Sequence, residues 1–134
     1  MFWKKKPAKS ISIVTELGEF IWDGHFAWEC DSNRNDESVQ LMYVGARFEV
    51  GRLPRFEHAL SNLRSIVSTA LEASREKIAA YHHSKDQMSL ISVTIDPEES
   101  DEDYQLDFGF ANWPDGGLTV HFRDAAVIAS HVDD

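Results

Sequence analysis

Cysteine is nearly missing from this chain: Cys30 is the single one in 134 residues. A disulfide within the chain is therefore excluded, and no Cys/His set has structural-zinc spacing, so cytoplasm is the expected compartment. Long apolar runs are also lacking, which excludes an evident membrane-spanning helix. The opening "MFWKKKPAKS" places lysines after an aromatic pair, but no apolar segment follows. Neither a secretory signal nor stable membrane anchoring is expected, and residues 1–10 read as a basic flexible tail. From Asp86 to Phe122 there is no Lys or Arg at all, against nine acidic residues. Phosphate would be repelled there, so nucleic-acid binding is not expected. Internal repeats and low-complexity linkers are absent as well.

What is present is acid and alternating apolar residues. The formal net charge is −10. Once the tail lysines are set aside, residues 10–134 carry 23 acids against nine bases. A chain of this length folds as one domain, expected over 11–134, and buries about two-thirds of its unfolded surface without needing a metal or disulfides.

In "GEFIWDGHFAWEC", Asp23-Gly24 separates two aromatic-rich runs and suits a two-residue turn. It predicts an N-terminal β-hairpin with strands near 19–22 and 25–30, Trp22 facing His25 and Ile21 facing Phe26. "DSNRNDES" reads as a loop, and "VQLMYVGARFEV" as another strand with Gly45 a possible bulge. From Pro54 the apolar period lengthens: Phe56, Leu60, Leu63, Val67, Ala70, Leu71, Ile78 and Tyr81 recur at helical spacing. This predicts one amphipathic helix over about 55–82, spanning about 40 Å at 1.5 Å per residue, bending near Ser68-Thr69 or overhanging. "MSLISVTID", "YQLDFGF", "GLTVHFR" and "AVIASHV" then read as four short strands. The expected fold class is α+β, an antiparallel sheet made of the N-terminal hairpin and a C-terminal meander, packed against the one long helix.

Candidate chemistry gathers near the C-terminus. If residues 111–117 form the loop between two strands, Phe110 faces Leu118, Asp107 faces His121 and Gln105 faces Arg123, all polar members sharing one face. An Asp-His pair can orient a histidine base, so Asp107, His121 and Arg123 are the candidate catalytic set, although no nucleophile accompanies them. A two-residue turn at Asp124-Ala125 would put His131 on the opposite face from His121, and a three-residue turn would bring the two together. His82 and His83 diverge by about 100° on a helix end, and His58 stands alone within its helix. "DPEESDED" lacks the EF-hand pattern and "PDGG" lacks the following helix of a phosphate cradle, so no metal site and no cofactor are expected. Trp113 beside Pro114 covers a core edge or, if exposed, anchors an interface.

Taken together, "GEFIWDGHFAWEC", the long helix, "LISVTIDPEESDEDYQLDFGF" and "DGGLTVHFRD" resemble a broad group of small acidic bacterial proteins of unknown function, some of them immunity proteins encoded beside polymorphic toxins. The resemblance is one of architecture and composition, and carries no catalytic residues. The expected function is a non-enzymatic acidic protein-binding module, an immunity-type inhibitor of a basic toxin or nuclease. Glu98, Glu99, Asp101, Glu102, Asp103 and Trp113 are the expected contacts, and a basic protein the expected partner. The competing expectation is a small hydrolase or metal-dependent enzyme using Asp107, His121 and Arg123. High charge of one sign predicts a monomer or weak homodimer.

Overall fold

The computed structural model describes residues 11–34 and 37–134; the basic tail lies outside the described residues. One eight-stranded sheet runs in sequence order: β1 (Ser12–Thr15), β2 (Gly18–Trp22), β3 (Ala27–Arg34), β4 (Glu37–Val44), β5 (Met88–Ile95), β6 (Tyr104–Phe110), β7 (Trp113–Arg123) and β8 (Ala126–Asp133). Every neighbouring pair is antiparallel except β4 and β5, which are parallel because the helical segment carries the chain back between them. The class is mixed α+β with a mostly antiparallel sheet.

The helical segment is three helices rather than one: α1 (Leu53–Ser61), α2 (Leu63–Ala73) and α3 (Arg75–Ala80). Asn62 (φ −118°, ψ 21°) and Ser74 (φ −101°, ψ 5°) leave helical geometry at the joints. The side-chain amide of Asn62 donates to the His58 carbonyl at 2.8 Å, an alternative to the helical ladder that short polar residues offer. The breaks therefore fall at residues 62 and 74, not at Ser68-Thr69, and let the segment bend over a twisted sheet. Pro54 occupies the first turn, where its missing N–H costs nothing.

The N-terminal strands also differ from the expected tight hairpin. Asp23 Oδ1 accepts backbone N–H groups of His25, Phe26 and Ala27 at 2.7, 2.9 and 3.2 Å. That nest widens the connection to residues 23–26, so Trp22 faces Trp28 and Ile21 faces Glu29. β1, which the sequence did not signal, adds an edge strand through a turn at residues 16–17. "DSNRNDES" is mostly strand, since β3 continues to Arg34 and β4 starts at Glu37.

All three helices cover one sheet face. Phe56, Leu60, Leu63, Ile66, Ala70 and Ile78 meet Phe20, Leu41, Tyr43, Val93, Ile95, Leu106, Phe108, Val120 and Phe122, all buried. Among the described residues no helix is long and apolar enough to cross a membrane. Trp113 closes the core's end: it stacks on Tyr81 (centroids 5.3 Å apart) and leans on Phe110 (5.0 Å). A Cβ on Gly116 would stand 2.3 Å from its ring, so only glycine fits there.

Tyr104, buried at the sheet's end, donates its hydroxyl to the Asp124 carbonyl at 2.9 Å. Burial, helped by the nearby Asp103 and Asp124 carboxylates, pushes its phenol up to about 12. Because the folded value lies above the ordinary one of 10.0, the stabilisation is complete below pH 10 and is lost as pH rises through 12. The expected alkaline loss approaches about 2.7 kcal/mol. Urea denaturation from pH 9 to 12 should show it, and Tyr104→Phe should flatten the slope while costing about 1 kcal/mol at neutral pH.

Candidate functional site

The face away from the helices is open, and the register decides what meets on it. β6 and β7 pair with Phe108 opposite Leu118, two residues from the expected alignment, because the turn is only Ala111-Asn112, with Asn112 at φ 63°, and residues 114–116 bulge out between the Phe110/Trp113 and Gly109/Gly117 pairs. "PDGG" is thus part of β7, bulged around Gly116 rather than a turn. The two-residue shift preserves which face each side chain occupies but changes its partner. Asp107 faces Thr119, and Gln105 faces His121. The expected set of Asp107, His121 and Arg123 is therefore not assembled: Arg123 donates to the Asp101 carbonyl at 2.8 Å instead.

Asp107 is occupied by hydroxyls. Its Oδ2 accepts from Ser92 Oγ (2.9 Å) and Thr94 Oγ1 (2.8 Å), and its Oδ1 from Thr119 Oγ1 (3.0 Å). Three strands are tied by this one carboxylate. A bulge in β5 between Leu90 and Ser92 turns Ser92 and Thr94 toward it.

His121 has other company. Its Nδ1 meets Glu102 Oε1 at 2.5 Å, and its Nε2 meets His131 Nδ1 at 3.2 Å. His131 Nε2 lies 3.2 Å from Asp133 Oδ2. The turn at Asp124-Ala125 has two residues, as Arg123 pairs with Ala126. The histidines nevertheless share a face, because a bulge at Ile128 moves His131 opposite Thr119. That bulge does what a three-residue turn would have done.

Glu102 belongs to the acidic loop yet is only 6% exposed. Two successive turns, Asp96–Glu99 and Glu99–Glu102, fold it inward. Burial pushes its carboxyl above the usual carboxylate range, against the opposing pull of His121. Its other oxygen, Oε2, is buried without a hydrogen-bond partner. Glu102 is thus removed from the expected contact set, whereas Glu98, Glu99 and Asp101 are exposed. Asp103 accepts the Asp124 N–H through its carboxylate. Trp113 is half-buried as a core cover. Sequence reasoning missed Glu102 as a partner of His121 and Asp133 as a neighbour of His131, and left the meeting of His121 with His131 to the length of the turn. A glutamate inside a charged run reads as solvated, and the bulge leaves no compositional mark.

Elsewhere the open face is acidic. Glu19, Ile21, Asp23, Glu29, Asp31 and Gln40 line a shallow cleft of about 360 Å³ across β2, β3 and β4. The 23–26 loop, the acidic 96–103 loop and the Asp124 turn stand at one end of the sheet, as the strand directions require. Six of the nine bases outside the tail (Arg52, Arg55, Arg64, Arg75, Lys77 and Lys85) lie instead in the helical segment and its flanks.

Comparison of the chain with protein-family models, with curated proteins and with solved structures finds no match. Fold and site together define an α+β protein whose helix-covered sheet presents an acidic open face and a carboxylate-flanked histidine pair.

Proposed function

We propose that this chain is a non-enzymatic acidic binding module of the cytoplasm that uses its open sheet face to occlude a basic protein, in the manner of an immunity-type inhibitor of a nuclease toxin. The observation that carries this reading is the segregation of charge. Four carboxylates, those of Glu19, Asp23, Glu29 and Asp31, wall a cleft with Ile21 half-exposed among them. The exposed Glu98, Glu99 and Asp101 rim the same sheet's end, while most cations sit on the helical side. Such a distribution steers a cationic partner onto one face and orients it there. The catalytic alternative has less support, because Asp107 accepts from the Ser92, Thr94 and Thr119 hydroxyls and Arg123 donates to the Asp101 carbonyl, so neither is hydrogen-bonded to His121.

The edges favour a monomer before the partner arrives. β1 has four residues, and β8 is bulged, carries His131 and Asp133, and has its Ser130 carbonyl bonded by Lys77. The test compares the wild type with Glu19→Gln/Glu29→Gln/Asp31→Asn as bait in host lysate, followed by kinetics with the identified protein. The expected result is a basic protein retained by the wild type at low salt, with association slowed about tenfold or more in the variant and the difference shrinking as salt rises. Recovery of no protein whose retention depends on these three charges would overturn the proposal.

A further inference from the structure

The histidine pair poses a problem of lone pairs. Glu102 Oε1 lies 2.5 Å from His121 Nδ1, and Asp133 Oδ2 lies 3.2 Å from His131 Nε2. The rings either share one N–H···N hydrogen bond or, with each hydrogen on the outer nitrogen that faces a carboxylate, leave both inner nitrogens, His121 Nε2 and His131 Nδ1, as bare acceptors. They face each other at 3.2 Å. Two lone pairs so close repel unless a cation lies between them. Two nitrogens bound to one tetrahedral ion at about 2.0–2.1 Å each stand about 3.3–3.4 Å apart, so the observed gap, also that of an N–H···N hydrogen bond, needs to open by only about 0.1–0.2 Å to become a chelate.

We propose that His121 Nε2 and His131 Nδ1 form a two-histidine site for a divalent transition-metal ion of the zinc class. The outer carboxylates fit this reading independently of the gap. A metal-bound histidine commonly donates its other ring N–H to a carboxylate, which fixes the tautomer and raises ligand basicity, and here each histidine has one. Imidazole ligands select zinc, copper or nickel over calcium and magnesium, whose oxygen ligands the gap lacks. The site sits on the open face with His131 half-exposed and His121 mostly covered, so an ion enters from solvent on the His131 side. Among the described residues no group of three or more His, Cys, Asp or Glu side chains could hold a metal, so the two histidines would be the ion's protein ligands and water would fill the other positions. The site couples the 96–103 loop, through Glu102, to β8, through His131. A bound ion would hold that loop against the sheet's end.

The probe is Zn²⁺ added to the full chain, followed by calorimetric titration, thermal melting and ¹⁵N NMR of the histidine ring nitrogens. We expect one ion per chain and a melting temperature raised by about 5 °C or more at saturating metal, reversed by chelator. The coordination shift should fall on His121 Nε2 and His131 Nδ1. His131→Ala, at an exposed strand position, should fold normally and lose this binding, whereas His82→Ala/His83→Ala should retain it. Glu102→Gln should weaken affinity about 10- to 100-fold. No Zn²⁺-dependent change in the wild type would overturn the proposal and leave a shared proton between the rings. Binding unchanged in His131→Ala would overturn it equally.

Discussion

Phe122→Ala should be the most damaging single truncation in the C-terminal meander, costing about 3–5 kcal/mol. Phe122 is fully buried and lies nearly parallel to Tyr104, ring centroids 5.3 Å apart at 11°. Removing it deletes apolar burial, leaves a cavity against the helical layer and frees the ring that positions the Tyr104 hydroxyl on Asp124. A domain of this size holds about 5–15 kcal/mol in all, so the loss takes a large share of the total. Guanidinium denaturation should show a lowered midpoint with the slope unchanged. Phe26→Ala is the control: that side chain is 50% exposed in the 23–26 loop, and the expected change is within about 0.5 kcal/mol. Equal losses at the two positions would mean that the stacked Tyr104/Phe122 layer contributes nothing special.

Why Phe122 was identifiable from sequence while the histidine site was not comes down to parity. Alternation from Tyr104 to Phe110 and from Leu118 to Phe122 marks the buried face whatever the register, because any even shift leaves each residue on its side of the sheet. The β6–β7 alignment moved by two residues, and the core prediction survived. Partners did not survive. Who faces His121 depends on the turn at Ala111-Asn112 together with the bulge at residues 114–116, and who shares its face depends on one extra residue at Ile128. Bulges of this kind answer to local backbone geometry and leave no periodic signal. The helix illustrates the same limit. Its apolar stripe was readable from Phe56 to Ile78, but Asn62 and Ser74 interrupt it through local bonding and geometry that propensity treats as a mild penalty. β1 was hidden for a different reason: four residues, two of them exposed, give an edge strand too short to establish alternation. The acidic face was half legible. Composition located the run without bases, but it took the strand order to place Glu19, Glu29 and Asp31 beside one another and to draw Glu102 inward.

The second large effect is expected at Asp107, whose removal strands its donors. Asp107→Ala should destabilise by about 2–3 kcal/mol, because Ser92 and Thr94 are 2% and 6% exposed and, apart from a long 3.3 Å bond between their own hydroxyls, have this carboxylate as their shared acceptor. Thr119, on the far side of β6, loses its bond as well. Asp107→Asn keeps the shape but replaces one acceptor oxygen by a donor aimed at other donors, so an intermediate cost of about 1–2 kcal/mol is expected. Removing both sides of the arrangement behaves differently, since apolar groups of similar shape have no hydrogen bonds to lose. A quadruple replacement, Ser92→Ala/Thr94→Val/Asp107→Leu/Thr119→Val, should therefore lie closer to the wild type than Asp107→Ala alone. Chemical denaturation of the set, with a double-mutant cycle between Asp107→Ala and Thr94→Val, measures the coupling, expected at about 1 kcal/mol or more. If Asp107→Ala moves stability by less than about 0.5 kcal/mol, the carboxylate is an ordinary solvated side chain, and the pairing of β5, β6 and β7 rests on the buried face alone.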